Sequence, residues 1–165
     1  MPIAKQQITP CLWYDKNAEE AANFYITVFK NSRINNISYY CDAGQEVHGG
    51  KAGSVLAVDF ELDGHKFSGL NGGPQFKFSE AISFQIPCES QEEIDHFSSK
   101  LSEGGSEGPC GWVKDKFGMS WQVFPTSLHK MLKDPDTVKA ERVMNAMLKM
   151  SRMDLAALER AHAGQ

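Results

Sequence analysis

The chain has 165 residues, 41% of them hydrophobic, enough to bury the core of one domain or of two small modules. Its net charge is −4 without a basic cluster, which argues against a nucleic-acid partner. No apolar run approaches the ~20 residues of a membrane span, and "MPIAKQQITPCLWY" has no long apolar stretch behind a basic start, so no signal peptide is read there and a cytoplasmic protein is expected.

Ile8, Leu12 and Tyr14 alternate with Thr9, Cys11 and Trp13 around Pro10, which predicts a strand with two unlike faces. In "KNAEEAANFYITVF", Ala18, Ala21, Ala22, Tyr25, Val28 and Phe29 recur at helical spacing behind Asn17 as the N-cap. A second strand is predicted over 32–41. The glycine-rich "DAGQEVHGGKAGS" that follows reads as a mobile or gating loop. Leu56, Val58, Phe60 and Leu62 alternate with Ala57, Asp59 and Glu61, a half-buried strand. Asp63-Gly64 is a two-residue hairpin signal, and "HKFSGLNGGP" returns as a fourth strand.

The pattern then restarts. Ile82, Phe84 and Ile86 alternate with Ser83, Gln85 and Pro87, and "SQEEIDHFSSKL" carries Ile94, Phe97 and Leu101 on one helical face. Glu19, Glu20 and Phe24 recur as Glu92, Glu93 and Phe97 at one constant spacing. A strand over 110–114, a turn at Gly118 and a strand over 119–124 complete a second, shorter β-α-β-β-β unit, one strand of which is faint. Beyond Pro125 the composition turns helical. Asp136 is a cap for the first helix, Val143, Met144, Met147 and Leu148 form a stripe, and Ser151 or Asp154 caps a second helix. This extension either packs on the domain or binds a partner.

Two tandem βαβββ modules resemble the vicinal oxygen chelate superfamily, which includes glyoxalase I, extradiol dioxygenases and fosfomycin-resistance proteins. The stretches "ITPCLWYDKNAEEAANFY", "FELDGHKFSGLNGGPQFKFSEAISFQIPC" and "CGWVKDKFGMSWQVFPT" are similar to its PhnB-like branch, whose sequences carry the label 3-demethylubiquinone-9 3-methyltransferase domain. The resemblance implies an α+β fold of curled mixed sheets around a cavity, in a domain over 1–126 (modules about 8–74 and 80–126) with a helical extension over 127–165. Carried over position by position, the fold's metal-ligand places fall at Thr9, Ser68, Ser83 and Gln122, where metal-using members have histidine, glutamine or glutamate. Neutral hydroxyls do not offset a divalent charge, so neither metal nor other cofactor is expected, and Gln122 is read as bonding a ligand or a neighbouring strand.

Strand parity puts Thr9, Cys11, Trp13, Ser68, Ser83, Gln85, Ser120 and Gln122 on the cavity side, and Trp112 and Cys110 join them as candidate ligand contacts; Trp121 falls on the opposite face. The polar members are alternatively satisfied by one another and by water. Cys11 and Cys110 read as buried small residues rather than nucleophiles, because none of His48, His65, His96, His129 and His162 lies on a predicted cavity strand. Cys11, Cys41, Cys88 and Cys110 form no Cys-x-x-Cys pair, so reduced thiols are expected. Glycine-rich segments that join strand to strand argue against methyl transfer from a nucleoside cofactor. A metal-independent enzyme acting on a small organic molecule is the expected function, with a sequestering protein or a metal-dependent lyase or dioxygenase as alternatives. Open sheet edges predict a homodimer.

Overall fold

The structure, a computed structural model, describes residues 8–165, so the first seven residues of the expected domain lie outside the described residues. It divides into two compact units, the first ending at Lys77 and the second running Phe78–Gln165.

In the first unit, β1 (Cys11–Tyr14), α1 (Ala18–Val28), β2 (Arg33–Tyr39), α2 (Gln45–His48), β3 (Val55–Leu62) and β4 (His65–Asn71) form one module. Its sheet has the order β1-β4-β3-β2, with β1 parallel to β4 and the other pairs antiparallel. Leu12, Tyr14, Val58, Phe60, Leu62 and Phe67 are buried on one side of this sheet, as are Ala18, Ala21, Ala22 and Tyr25 of α1. Alternation dictates this sidedness, since every second residue of a strand shares a face. The hairpin Asp63-Gly64 has φ of 46° and 77°, the left-handed pair that a two-residue hairpin turn requires.

Asn17 sits at the N-cap of α1, but its side chain makes no capping bond. Asn71 does that work from β4: its Oδ1 accepts from Ala18 N at 2.9 Å, and its Nδ2 donates to Val55 O at 3.0 Å. The expected long strand over 8–14 is shortened to Cys11–Tyr14, because Pro10 has no N–H for a ladder; its carbonyl still accepts from Ser68 N. The loop expected to be mobile or gating contains the short α2, where His48 stacks on Tyr40 with centroids 4.5 Å apart and accepts from Gly50 N.

The second unit repeats the topology with β5 (Phe84–Cys88), α3 (Gln91–Ser102), β6 (Ser106–Glu107), β7 (Trp112–Lys114) and β8 (Ser120–Pro125) in the order β5-β8-β7-β6. Helix α3 starts at Ser90, whose Oγ accepts from Glu93 N, while Glu93 reaches back to Glu89 N. Pro87 is tolerated within β5 because that strand lies at the sheet edge. The expected strand over 110–114 begins only at Trp112: Pro109–Gly111 is a 3-10 turn with Cys110 at φ 55°.

Helices α4 (Leu128–Leu132), α5 (Thr137–Met147) and α6 (Leu155–Ala163) follow. The extension packs on its own unit. Cys110 N and Gly111 N donate to Met150 O and Ser151 O, at 2.8 and 2.7 Å, and Gln91 bridges Met153 O and Leu155 N. Val143, Met153 and Leu158 are buried, whereas Met144 and Leu148 of the expected stripe stay exposed. Among the described residues, no helix is long and apolar enough to cross a membrane.

Candidate functional site

The polar face of the second sheet is built by register. Gln122 of β8 lies opposite Gln85 of β5 and Trp112 of β7, and Lys114 lies opposite Ser120. Trp121 points the other way: it is buried, and its Nε1 donates to Asp115 at 2.8 Å. Gln122 is half-buried and donates from Nε2 to Ser83 Oγ at 2.8 Å. The Gln122 amide thus ties β8 to the residue preceding β5.

The same unit has a cleft of about 380 Å³, lined among others by Glu80, Ser106, Pro109, Trp112, Lys114 and Ser120. Lys114 Nζ and Glu80 Oε1 form a close, solvent-exposed ion pair at this cleft. The hydrogen bond from Lys114 is the main reason that the Glu80 carboxyl is held below the usual carboxylate range. Ser120 is 1% exposed, and its hydroxyl has no hydrogen-bond partner among the described residues. A buried polar group without a partner costs about 1–3 kcal/mol. Such a group in the wall of a cleft suits a site that is completed by a ligand.

The corresponding face of the first sheet carries Cys11 opposite Ser68 and Ser68 opposite Asp59. Ser68 Oγ donates to Asp59 Oδ1 at 2.9 Å, and Glu61 pairs with Arg33 at 2.6 Å. Trp13 is pinned at its edge: Nε1 donates to Gly73 O at 2.8 Å, and Phe76 meets the ring edge-on at 4.9 Å. A Cβ at Gly72 would lie 2.2 Å from this indole, so only glycine permits the approach.

The candidate residues therefore fall into separate groups. Ser83, Gln85, Trp112 and Gln122 share the second sheet's face, and Cys11, Trp13 and Ser68 share the first sheet's; Thr9 is exposed before β1. Cys11 is exposed, contrary to the expectation of burial, because its strand face is the open one. Cys110 is half-buried and turned to the extension, its Sγ 3.6 Å from Met147 O, because its left-handed backbone takes it out of the strand's alternation. Lys114 is legible from its spacing of two residues from Trp112. Glu80 is not, since it stands in an irregular segment.

The sequence model of 3-demethylubiquinone-9 3-methyltransferase matches residues 6–124. No curated protein matches the chain. A PhnB protein from Bacillus cereus is 36% identical with a TM-score of 0.63, covering 73% of this chain and 99% of its own. Protein PA1353 from Pseudomonas aeruginosa, 18% identical with a TM-score of 0.58, covers 72% of this chain and 96% of its own. The fosfomycin resistance protein FosX from Listeria monocytogenes, solved with Mn(II) and sulfate, is 15% identical with a TM-score of 0.52, covering 79% and 98%. The last two are similar in fold alone, the glyoxalase-like arrangement of two mixed four-stranded sheets.

The two groups that these likenesses bring into question do not fit the residues present. The places that the resemblance assigns to metal ligands, Thr9, Ser68, Ser83 and Gln122, offer only hydroxyls and one amide, donor types that leave a divalent charge uncompensated. Among the described residues, no group of three or more His, Cys, Asp or Glu is placed to hold an ion. A methyl-donating nucleoside calls for a glycine-rich turn that runs from a strand into a long helix. Here 42–54 joins β2 to β3 through the four-residue α2.

Proposed function

Because the chain belongs to the 3-demethylubiquinone-9 3-methyltransferase family, the PhnB-like branch of the glyoxalase fold, we propose that it binds a small cytoplasmic organic molecule on its polar sheet faces without a metal. The methyltransferase name is a family label and carries no activity to this chain. One observation supports the reading most: the cleft beside Trp112 has an aromatic wall, an ion pair and a buried hydroxyl with no partner. Small-molecule sites combine apolar walls with a few orienting polar groups in this way. The candidate contacts are Trp112, Gln122, Ser83 and Gln85, with Trp13, Cys11, Ser68, Thr9 and Cys110 as the remaining ones.

The second reading is a sequestering protein that performs no reaction. It is favoured by the pairing of the acids on these faces: Glu80 with Lys114, Glu61 with Arg33 and Asp59 with Ser68. A general base must be free to accept a proton. A ligand-observed NMR screen of small aromatic compounds, on protein purified without added metal, tests the binding. Hits that vanish in Trp112→Ala are expected. A screen without hits, or with hits indifferent to Trp112, would reject the cleft as the site.

A further inference from the structure

Resting on that small-molecule reading, we infer that the cleft of the second unit takes an aryl carboxylate, whose anionic group replaces Glu80 on Lys114. The inference starts from the unequal anchoring of the ion pair. Lys114 stands on β7, held between β6 and β8 by register with Ser106 and Ser120. Glu80 stands in the irregular segment between β4 and β5. Both side chains are substantially exposed, at 43% and 60%, and exposed pairs of this kind contribute little to stability. The carboxylate on the irregular segment is therefore the partner that yields, and the fixed cation is the one that recognises.

The rest of the cleft specifies what accompanies the anion. Trp112 and Lys114 are two apart on one strand, so both face the cleft about 6.6 Å apart. A planar ring lying on the indole places a directly attached carboxylate toward the ammonium. Ser120 stands opposite Lys114 in the ladder and supplies a second donor, which gains in a ligand oxygen the partner it otherwise lacks. Among the described residues that line this cleft, Lys114 is the one cation, which suits a singly charged group.

The test uses the full chain at low salt and neutral pH, with benzoate, benzamide and benzylamine as probes. Binding is read by calorimetry and by the indole NMR signal of Trp112, assigned with Trp112→Phe. Benzoate binding is expected, with benzamide and benzylamine at least ~10-fold weaker. Lys114→Met is expected to weaken benzoate by a similar ~10-fold, and Glu80→Gln to strengthen it by ~3-fold by removing the internal competitor. Glu80 is exposed on an irregular segment, so the Glu80→Gln arm stands even if Lys114→Met does not fold. Equal binding of benzamide or benzylamine, a folded Lys114→Met with unchanged benzoate affinity, or a Glu80→Gln without gain overturns the inference and leaves the small-molecule reading standing. Silence with all three probes removes the cleft as a ligand site, and both readings of it with it.

Discussion

At the turn before β8, Asp115 is only 3% exposed and accepts from Phe117 N at 2.9 Å, Met119 N at 3.0 Å and Trp121 Nε1 at 2.8 Å. One carboxylate thus closes the Asp-x-x-Gly turn and anchors the buried tryptophan. Gly118 takes φ 89°, which a residue with a side chain adopts only under strain. Asp115→Ala leaves buried N–H groups without an acceptor and is expected to cost about 3 kcal/mol in urea unfolding, with Asp115→Asn intermediate. The thiols make a second expectation. Burial, reinforced by Glu93 and Glu89, pushes Cys88 up to about 12, and the thiolate is the reactive form. At pH 8, Cys11 and Cys41, both exposed, should react with a thiol reagent in the folded protein, and Cys88 only after unfolding. Early labelling of Cys88, located by peptide mapping, would contradict this. The opposite facing of Trp121 and Gln122 was legible because alternation along a buried strand admits no other arrangement. The partner of Lys114 was not, because no periodicity governs the segment that holds Glu80.

Among the elements, helices α5 and α6 of the extension are joined by side chains reaching across the sequence. Arg142 of α5 donates to Ala161 O at 2.8 Å and His162 O at 2.9 Å, capping the end of α6. His162 Nε2 meets Asp134 Oδ2 at 2.8 Å, tying the same end to the segment before α5. The Asp136 N–H, then His162, hold the Asp134 carboxyl below its ordinary range. A depressed carboxyl stabilises the fold fully above its unfolded value, and that contribution is lost as pH falls through the lower folded value. The helix pair should therefore loosen in acid. Asp134→Asn should flatten the pH dependence of amide exchange in α6, and an unchanged profile would remove Asp134 as the cause. Helix α3 was readable from the helical spacing of Ile94, Phe97 and Leu101, and α5 from Asp136, because periodicity and caps are local. The capping of α1 by Asn71 was hidden, since the donor and acceptor are far apart in sequence and Asn17 supplied a plausible local substitute.

For the molecule as a whole, the expected state is a homodimer. Among the described residues, β1 and β2 are the edge strands of one unit's sheet, and β5 and β6 those of the other's. Exposed edges invite pairing with another chain. Tyr39 on β2, and Val138, Met144 and Leu148 on α5, add exposed apolar surface. Sedimentation equilibrium at micromolar concentration should give twice the 18.3 kDa chain; a single-chain species that persists on concentrating would refute it. Truncation after Asp134 then separates the contributions, with a lost dimer pointing to α5 and α6 and a retained one to the strands. The repeat was legible because two alternating patterns of the same order recur in one chain. Strand order within each sheet was not, because nothing local marks which strands become neighbours.

That order has a kinetic consequence. β1 pairs in parallel with β4, Cys11 beside Ser68, and β5 pairs in parallel with β8. In each module, the first strand to leave the ribosome has its neighbour in the last, and the loop between them must close before the pairing yields any stability. Antiparallel β3 and β4, joined by a tight hairpin, can zip as soon as both have emerged. β1 must wait for that hairpin to give it an edge. The first module can then be complete while the second is still being translated, which limits the time during which its open strands meet those of other nascent chains.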